Sequence, residues 1–198
     1  MRPAFEVEDR QVFHEDYGQP TSIDLVVDFE PPSAPIFIEA KLVEKKFGGC
    51  SVFAAGDCDG LNPVKDFTLC YLHHVGRKYW DRMKEHGFLA GALAASPICP
   101  FASYYQFFRE ALFALHKCGY FVLLYDARNP TFFADGPQGR RGLWPFLLSL
   151  IPEVPRSRMR AISVQQLFQE IVNAGGHEDW TPEFSKKYAI QPEVTGTP

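Results

Sequence analysis

The chain of 198 residues contains no uninterrupted apolar stretch approaching the ~18 residues that a membrane-spanning helix needs; its longest candidates run from Phe88 to Ala95 and from Gly142 to Ile151. No membrane span is expected. The opening Met1-Arg-Pro-Ala-Phe-Glu lacks the apolar core of a secretory signal, so the expected location is the cytoplasm. An even set of cysteines is also missing. Cys50, Cys58, Cys70, Cys99 and Cys118 are five, which reads as reduced thiols and not as a disulfide framework. Nor is there an excess of positive charge: 20 Lys and Arg stand against 24 Asp and Glu, for a net charge of −4. A bulk DNA coater is excluded, and any nucleic acid must be met by a local basic patch. Internal repeats and low-complexity segments are absent, and Gly48-Gly49 after Phe47 makes a turn but no P-loop.

What the chain has in quantity is core material. Hydrophobic residues make up 46% and aromatics 15%, far more than a disordered chain carries. The length suits one domain with elaborations, expected over residues 1–176, with a weakly ordered C-terminal tail over 177–198.

Periodicity then gives a coarse order of elements. Phe5 to Phe13 alternates with period two, and the runs Ser22 to Phe29 and Ile36 to Val43 are joined by the Pro-rich turn Glu30-Pro-Pro-Ser-Ala-Pro35, so a three-stranded β-unit is expected. Phe47 to Asp66 shows no period and reads as a long irregular loop. Apolar residues at Leu69, Leu72, Val75, Tyr79, Trp80 and Met83 predict a helix over Thr68 to His86, stopped by Gly87. Phe107, Phe108, Ala111, Leu112 and Leu115 predict a second over Tyr104 to Lys117. Phe121 to Tyr125 is wholly apolar, which suits a strand buried on both faces between the Tyr104 helix and a short helix over Leu143 to Leu150. Asp126 to Arg141 reads as loop, and Ser163 N-caps a helix ending at Gly175-Gly176. This order predicts an α/β fold, a mixed sheet flanked by helices.

Chemistry concentrates in the β-unit. Asp24 sits among Ile23, Leu25, Val26 and Val27, and Glu39 and Lys41, two apart, point to one face of the next strand. Charges in such apolar company need a reason. Two carboxylates on adjacent strands suit Mg2+ or Mn2+, and a neighbouring ammonium can orient a water or offset charge on a phosphoryl transition state. The plain alternative is the solvated face of an edge strand.

Ile23-Asp-Leu-Val26 followed by Ile38-Glu-Ala-Lys41, with fourteen residues between Asp24 and Glu39, resembles the signature of the PD-(D/E)xK nuclease superfamily, with Ile-Asp in place of Pro-Asp. Gln106 and Arg109 resemble the Gln-x-x-Arg motif of several branches. Thr21-Ser-Ile-Asp-Leu25, Glu44, Phe47, Lys78-Tyr-Trp80 and Tyr105-Gln-Phe-Phe-Arg109 together look most like the bacterial PGN_0703-type restriction-endonuclease-like family, over roughly residues 5 to 170. The resemblance implies a restriction-endonuclease-like core and metal-dependent endonuclease cleavage of DNA. It implies Asp24 and Glu39 as Mg2+ or Mn2+ ligands, Lys41 as catalytic lysine and Gln106 as a polar residue reaching the site from the adjoining helix. Superfamily members usually open with a helix carrying an acid. No helix is read before Phe5, so either the chain is short there or Glu6, Glu8 or Glu15 stands in. DNA is the implied partner, a protein partner or homodimer fits as well, and the alternative function is an inactive nucleic-acid-binding or protein-interaction module on the same fold.

Other features have plainer readings. Cys50, Cys58, Cys70 and Cys99 offer donors of the kind that hold zinc or an iron–sulfur cluster in some nucleases of this fold, but their gaps of 7, 11 and 28 residues contain no C-x2-C pair, and free thiols are expected. His73-His74 reads as helix packing. Arg77, Lys78, Tyr79, Trp80 and Arg82 mix aromatics with cations as single-strand binders do, although Tyr79 and Trp80 at helical spacing read better as core. Arg140-Arg141 and Arg156, Arg158 and Arg160 read as loop charges.

Overall fold

A computed structural model describes residues 1–137 and 141–190. Arg140 and residues 191–198 of the expected tail lie outside the described residues. Five strands form one sheet in sequential order: β1 (Arg2–Asp9), β2 (Thr21–Asp28), β3 (Ile36–Lys41), β4 (Tyr120–Tyr125) and β5 (Met159–Ser163). The first three are antiparallel, whereas β3, β4 and β5 run parallel, each parallel step bridged by helices. Between β3 and β4 lie α1 (Ser51–Ala54), α2 (Tyr71–His74), α3 (Tyr79–Glu85), α4 (Gly91–Ala95) and α5 (Pro100–His116). Between β4 and β5 lie α6 (Pro130–Phe133), α7 (Leu143–Leu150) and α8 (Glu153–Arg156), and α9 (Val164–Ala174) and α10 (Thr181–Tyr188) follow. The sheet is mixed and helix-flanked, consistent with a restriction-endonuclease-like core.

The β-unit stands where alternation places it. β1 stops earlier than its apolar pattern because the Asp9 carboxylate takes the N–H groups of Gln11 and Val12, turning the chain so that Val12 and Phe13 enter the core. α5 is the central helix. Its Phe107 meets Phe121 of β4 and Trp144 of α7 with ring centroids 5.8 and 5.9 Å apart. The two helices thus cover the same face of β4. Phe121 and Leu123 are fully buried, while Val122 and Leu124 on the other face are only half-buried, so the expectation of a strand covered equally on both faces is corrected.

Three further differences have local causes. The single helix expected over Thr68 to His86 is broken into a 3-10 turn, α2 and α3, because the chain reverses at Gly76 with φ +87°, a conformation only glycine adopts without strain. β5 arises where loop was expected and takes in Arg160; its parallel ladder to β4 compensates for a weakly alternating sequence. The segment after His177 carries α10, whose Phe184 stacks on Phe168 of α9.

α5 begins at Pro100, before the expected Tyr104, and is kinked at Tyr104, where φ is −131° and ψ 35°. The cause is visible in the hydrogen bonds. Cys50 N–H donates to the Phe101 and Ala102 carbonyls at 3.0 and 3.3 Å, and Gln106 N–H donates to Gly48 O at 3.0 Å instead of continuing the helix ladder. The loop after β3 is spliced into the helix. Gly49 must be glycine there, since a Cβ would lie 2.5 Å from Ala102 O.

Candidate active site

The alternation of β3 buries Phe37, Glu39 and Lys41 on one face, and Lys41 Nζ lies 2.7 Å from Glu39 Oε1. Gln106, on the first turn after the α5 kink, donates from Nε2 to the same oxygen at 2.7 Å. Its Oε1 accepts from Gly48 N–H at 3.3 Å, so the spliced loop holds the amide and the amide holds the carboxylate. Asp24 of β2 accepts the Ala40 N–H at Oδ2, 2.8 Å away. This ties the Asp24 carboxylate to the strand that carries Glu39 and Lys41. The structure thereby brings together Asp24, Glu39, Lys41 and Gln106.

The electrostatics are those of crowded carboxyls around one ammonium. Burial pushes the Glu39 carboxyl up to about 7, against the hydrogen bond and charge of Lys41 and with the Asp24 charge adding to the rise. Burial works against the Lys41 ammonium, but its hydrogen bond to Glu39 and the charges of Glu39, Glu110 and Glu44 hold it above its ordinary value.

Glu110 is a participant that reading the sequence missed. It lies one helical turn beyond Gln106, is completely buried, and neither carboxyl oxygen makes a hydrogen bond of normal geometry. Burial, with the Glu39 charge next, raises its carboxyl well above the carboxylate range. The signal was there: an acid four residues after Gln106 on an otherwise apolar helical face.

The three acids considered as stand-ins for an N-terminal one separate cleanly. Glu15 is buried, accepting from Thr21 N and Oγ1 at 2.5 and 2.8 Å and from Tyr79 OH at 2.5 Å, with Arg109 at 3.8 Å. It organises a cluster of Tyr79, Tyr105 and Arg109, which line a cleft of about 440 Å³ that Gln106 also borders. Glu8 is exposed and pairs in register with Ser22. Glu6, also exposed, falls between the pairs Phe5–Leu25 and Val7–Ile23, across from Asp24, and has φ +49°. A left-handed non-glycine residue opposite a site carboxylate is backbone strain of the kind found at functional sites.

Residues 2–189, from β1 to the end of α10, match the model of the family described as Restriction Endonuclease associating with ARP. The chain belongs to this family. No curated protein and no solved structure matches it. Membership in a restriction-endonuclease family makes a nuclease-type hydrolase the class supported, in line with the superfamily resemblance of the Asp24 and Glu39-x-Lys41 segments; the match does not bear on the narrower PGN_0703 likeness.

In this family member the basic and aromatic segment near α3 is chiefly structural. Tyr79 and Trp80 are buried, Arg77 donates to the His14 and Tyr17 carbonyls, and Lys78 and Arg82 pair with Asp81 and Glu85. His73 packs edge-on against Phe67. Cys50, Cys58, Cys70 and Cys99 line one apolar pocket, while Cys118 is exposed. Among the described residues, one other group resembles a metal site: donor atoms of Glu85, His86 and His116, where α3 and α5 end, lie within 4.8 Å of one another.

Proposed function

We propose that this chain is a metal-dependent endonuclease that hydrolyses DNA phosphodiester bonds at Asp24, Glu39 and Lys41. The observation that carries the reading is the double engagement of Glu39 Oε1 by Lys41 Nζ and Gln106 Nε2. Such a buried acid–amine pair, fixed from a second element, is costly to a fold unless the site uses it.

The residues fit a hard divalent cation. Their donors are carboxylate oxygens, and Glu39 and Glu110 are both pushed toward protonation by burial among too few positive charges, a surplus that a cation near Asp24 and Glu39 relieves. Asp24 and Glu39 would hold Mg2+ or Mn2+, which when bound supplies Lewis-acid stabilisation of charge on the phosphate oxygens. The chain's own residues do the rest. Lys41, kept charged by Glu39, orients the attacking water and offsets negative charge developing on the phosphoryl group. Gln106 fixes the Glu39 carboxylate, and the Gly48 loop fixes Gln106.

The family's description names ARP as an associate, and an ARP-type protein is accordingly the expected protein partner. The test of the function is incubation of the full chain with supercoiled, linear and single-stranded DNA in Mg2+ or Mn2+ and in chelator. Metal-dependent nicking or linearisation supports the reading. Binding without cleavage in any metal overturns it in favour of an inactive module.

A further inference from the structure

The pocket beneath the spliced loop is lined by four of the chain's five cysteines. Cys50 lies in the loop after β3, Cys58 in the irregular segment beyond α1, Cys70 just before α2 and Cys99 just before α5. Nothing in their spacing brings them together; the fold does. Cys50 N–H is bonded to α5 carbonyls, Cys99 N–H donates to Gly60 O at 2.8 Å, and Asn62 N–H donates to Pro97 O at 3.0 Å, so three backbone clamps fasten the long loop onto the start of α5. The remaining walls are apolar, with Val52, Phe53, Leu72 and Phe101 among them. The fifth cysteine, Cys118, is at the far end of α5 and exposed.

We infer that Cys50, Cys58, Cys70 and Cys99 form a thiolate centre for a soft metal, either one zinc ion or an iron–sulfur cluster. Four sulfurs in apolar surroundings are the donor set both groups take. Gly60 N–H points at Cys58 Sγ from 3.4 Å, a contact that a bound thiolate would strengthen. No three of the four sulfurs lie within 4.8 Å of one another. A single zinc with Zn–S bonds of ~2.3 Å would draw them to about 3.8 Å. Zinc would therefore be bound with the sulfurs drawn inward from their present separation.

The centre would also explain why a long loop with little regular structure is held against α5. It pins Gly48 and Gly49, hence Gln106, from behind, although the inference stands whether or not the Asp24 site cuts DNA.

The test is metal analysis of the full chain purified without oxygen, together with titration of metal-free protein with Co2+. About one zinc per chain supports the zinc form. Iron with matching acid-labile sulfide and visible charge-transfer absorption supports the cluster form. In either case Cys118→Ser and Asp24→Ala keep the metal, and Cys58→Ser, altering the half-exposed loop member, loses it while retaining far-ultraviolet circular dichroism. Should Cys58→Ser fail to fold, the wild-type metal content and the thiolate-to-Co2+ band decide alone. Neither zinc nor iron, with no thiolate-to-Co2+ band on titration, overturns the inference and leaves four cysteines packed as small apolar side chains.

Discussion

Gln106 Nε2 donates to Glu39 Oε1 at 2.7 Å, joining α5 to β3 across 67 residues of sequence. Because Lys41 Nζ shares that oxygen, Gln106 fixes which way the Glu39 carboxylate faces. Gln106→Ala leaves the reacting groups in place but loosens them. Losing a partner that orients a metal-binding carboxylate typically costs about 10- to 100-fold. Single-turnover DNA cleavage should slow by that factor with DNA affinity little changed; an unaltered rate would make Gln106 a packing residue.

The crowded carboxyls set a pH dependence in metal-free protein. The folded-state value for Glu39 lies near 7, above its unfolded value of 4.5, and that of Glu110 is raised as well. A group shifted upward stabilises the fold at low pH and loses that contribution as pH rises through its folded value. In chelator, the melting temperature should fall from about pH 5 to about pH 8 beyond what the other groups cause. Glu39→Gln should flatten the fall, and an equally steep profile in that variant would contradict the assignment.

Divalent metal should oppose the same destabilisation. Binding to the folded state alone contributes about 2.7 kcal/mol at a hundredfold excess over the dissociation constant. Thermal unfolding in Mg2+ or Mn2+ should show an upward shift that Asp24→Ala abolishes. No shift in wild type, with no binding heat by calorimetry, would exclude a metal site at Asp24 and Glu39.

Much of this site was legible because period-two alternation carries it. Phe37, Glu39 and Lys41 share a face of β3 for the same reason that the strand could be read at all. Glu110 was hidden by its company on an apolar helical face, where its proximity to Glu39 depends on how α5 crosses the sheet. Gly76 was hidden because the apolar spacing from Leu69 to Met83 continues in phase across the break. β5 was missed because its ladder to β4 is long-range and its own sequence, Met-Arg-Ala-Ile-Ser, alternates weakly. The gathering of the cysteines is likewise a product of the loop's hydrogen bonds to α5 and not of any local motif.

The packing around β4 gives a prediction independent of function. Leu123 is fully buried on the face covered by α5, so Leu123→Ala should open a cavity costing about 2 to 5 kcal/mol by chemical denaturation. Amides of Phe121 to Leu123 should exchange only near the global unfolding free energy. Fast exchange there would contradict a central β4.

Lys41 supplies the most direct test of the account. Its ammonium is held charged by the carboxylate two residues before it, and the proposed role is exerted on the water and the transition state more than on bound DNA. The decisive measurement compares wild type with Lys41→Met for both DNA affinity and cleavage rate in Mg2+ or Mn2+. The account predicts binding within a few-fold of wild type and loss of nearly all cleavage. Cleavage that persists equally in wild type and variant would contradict it.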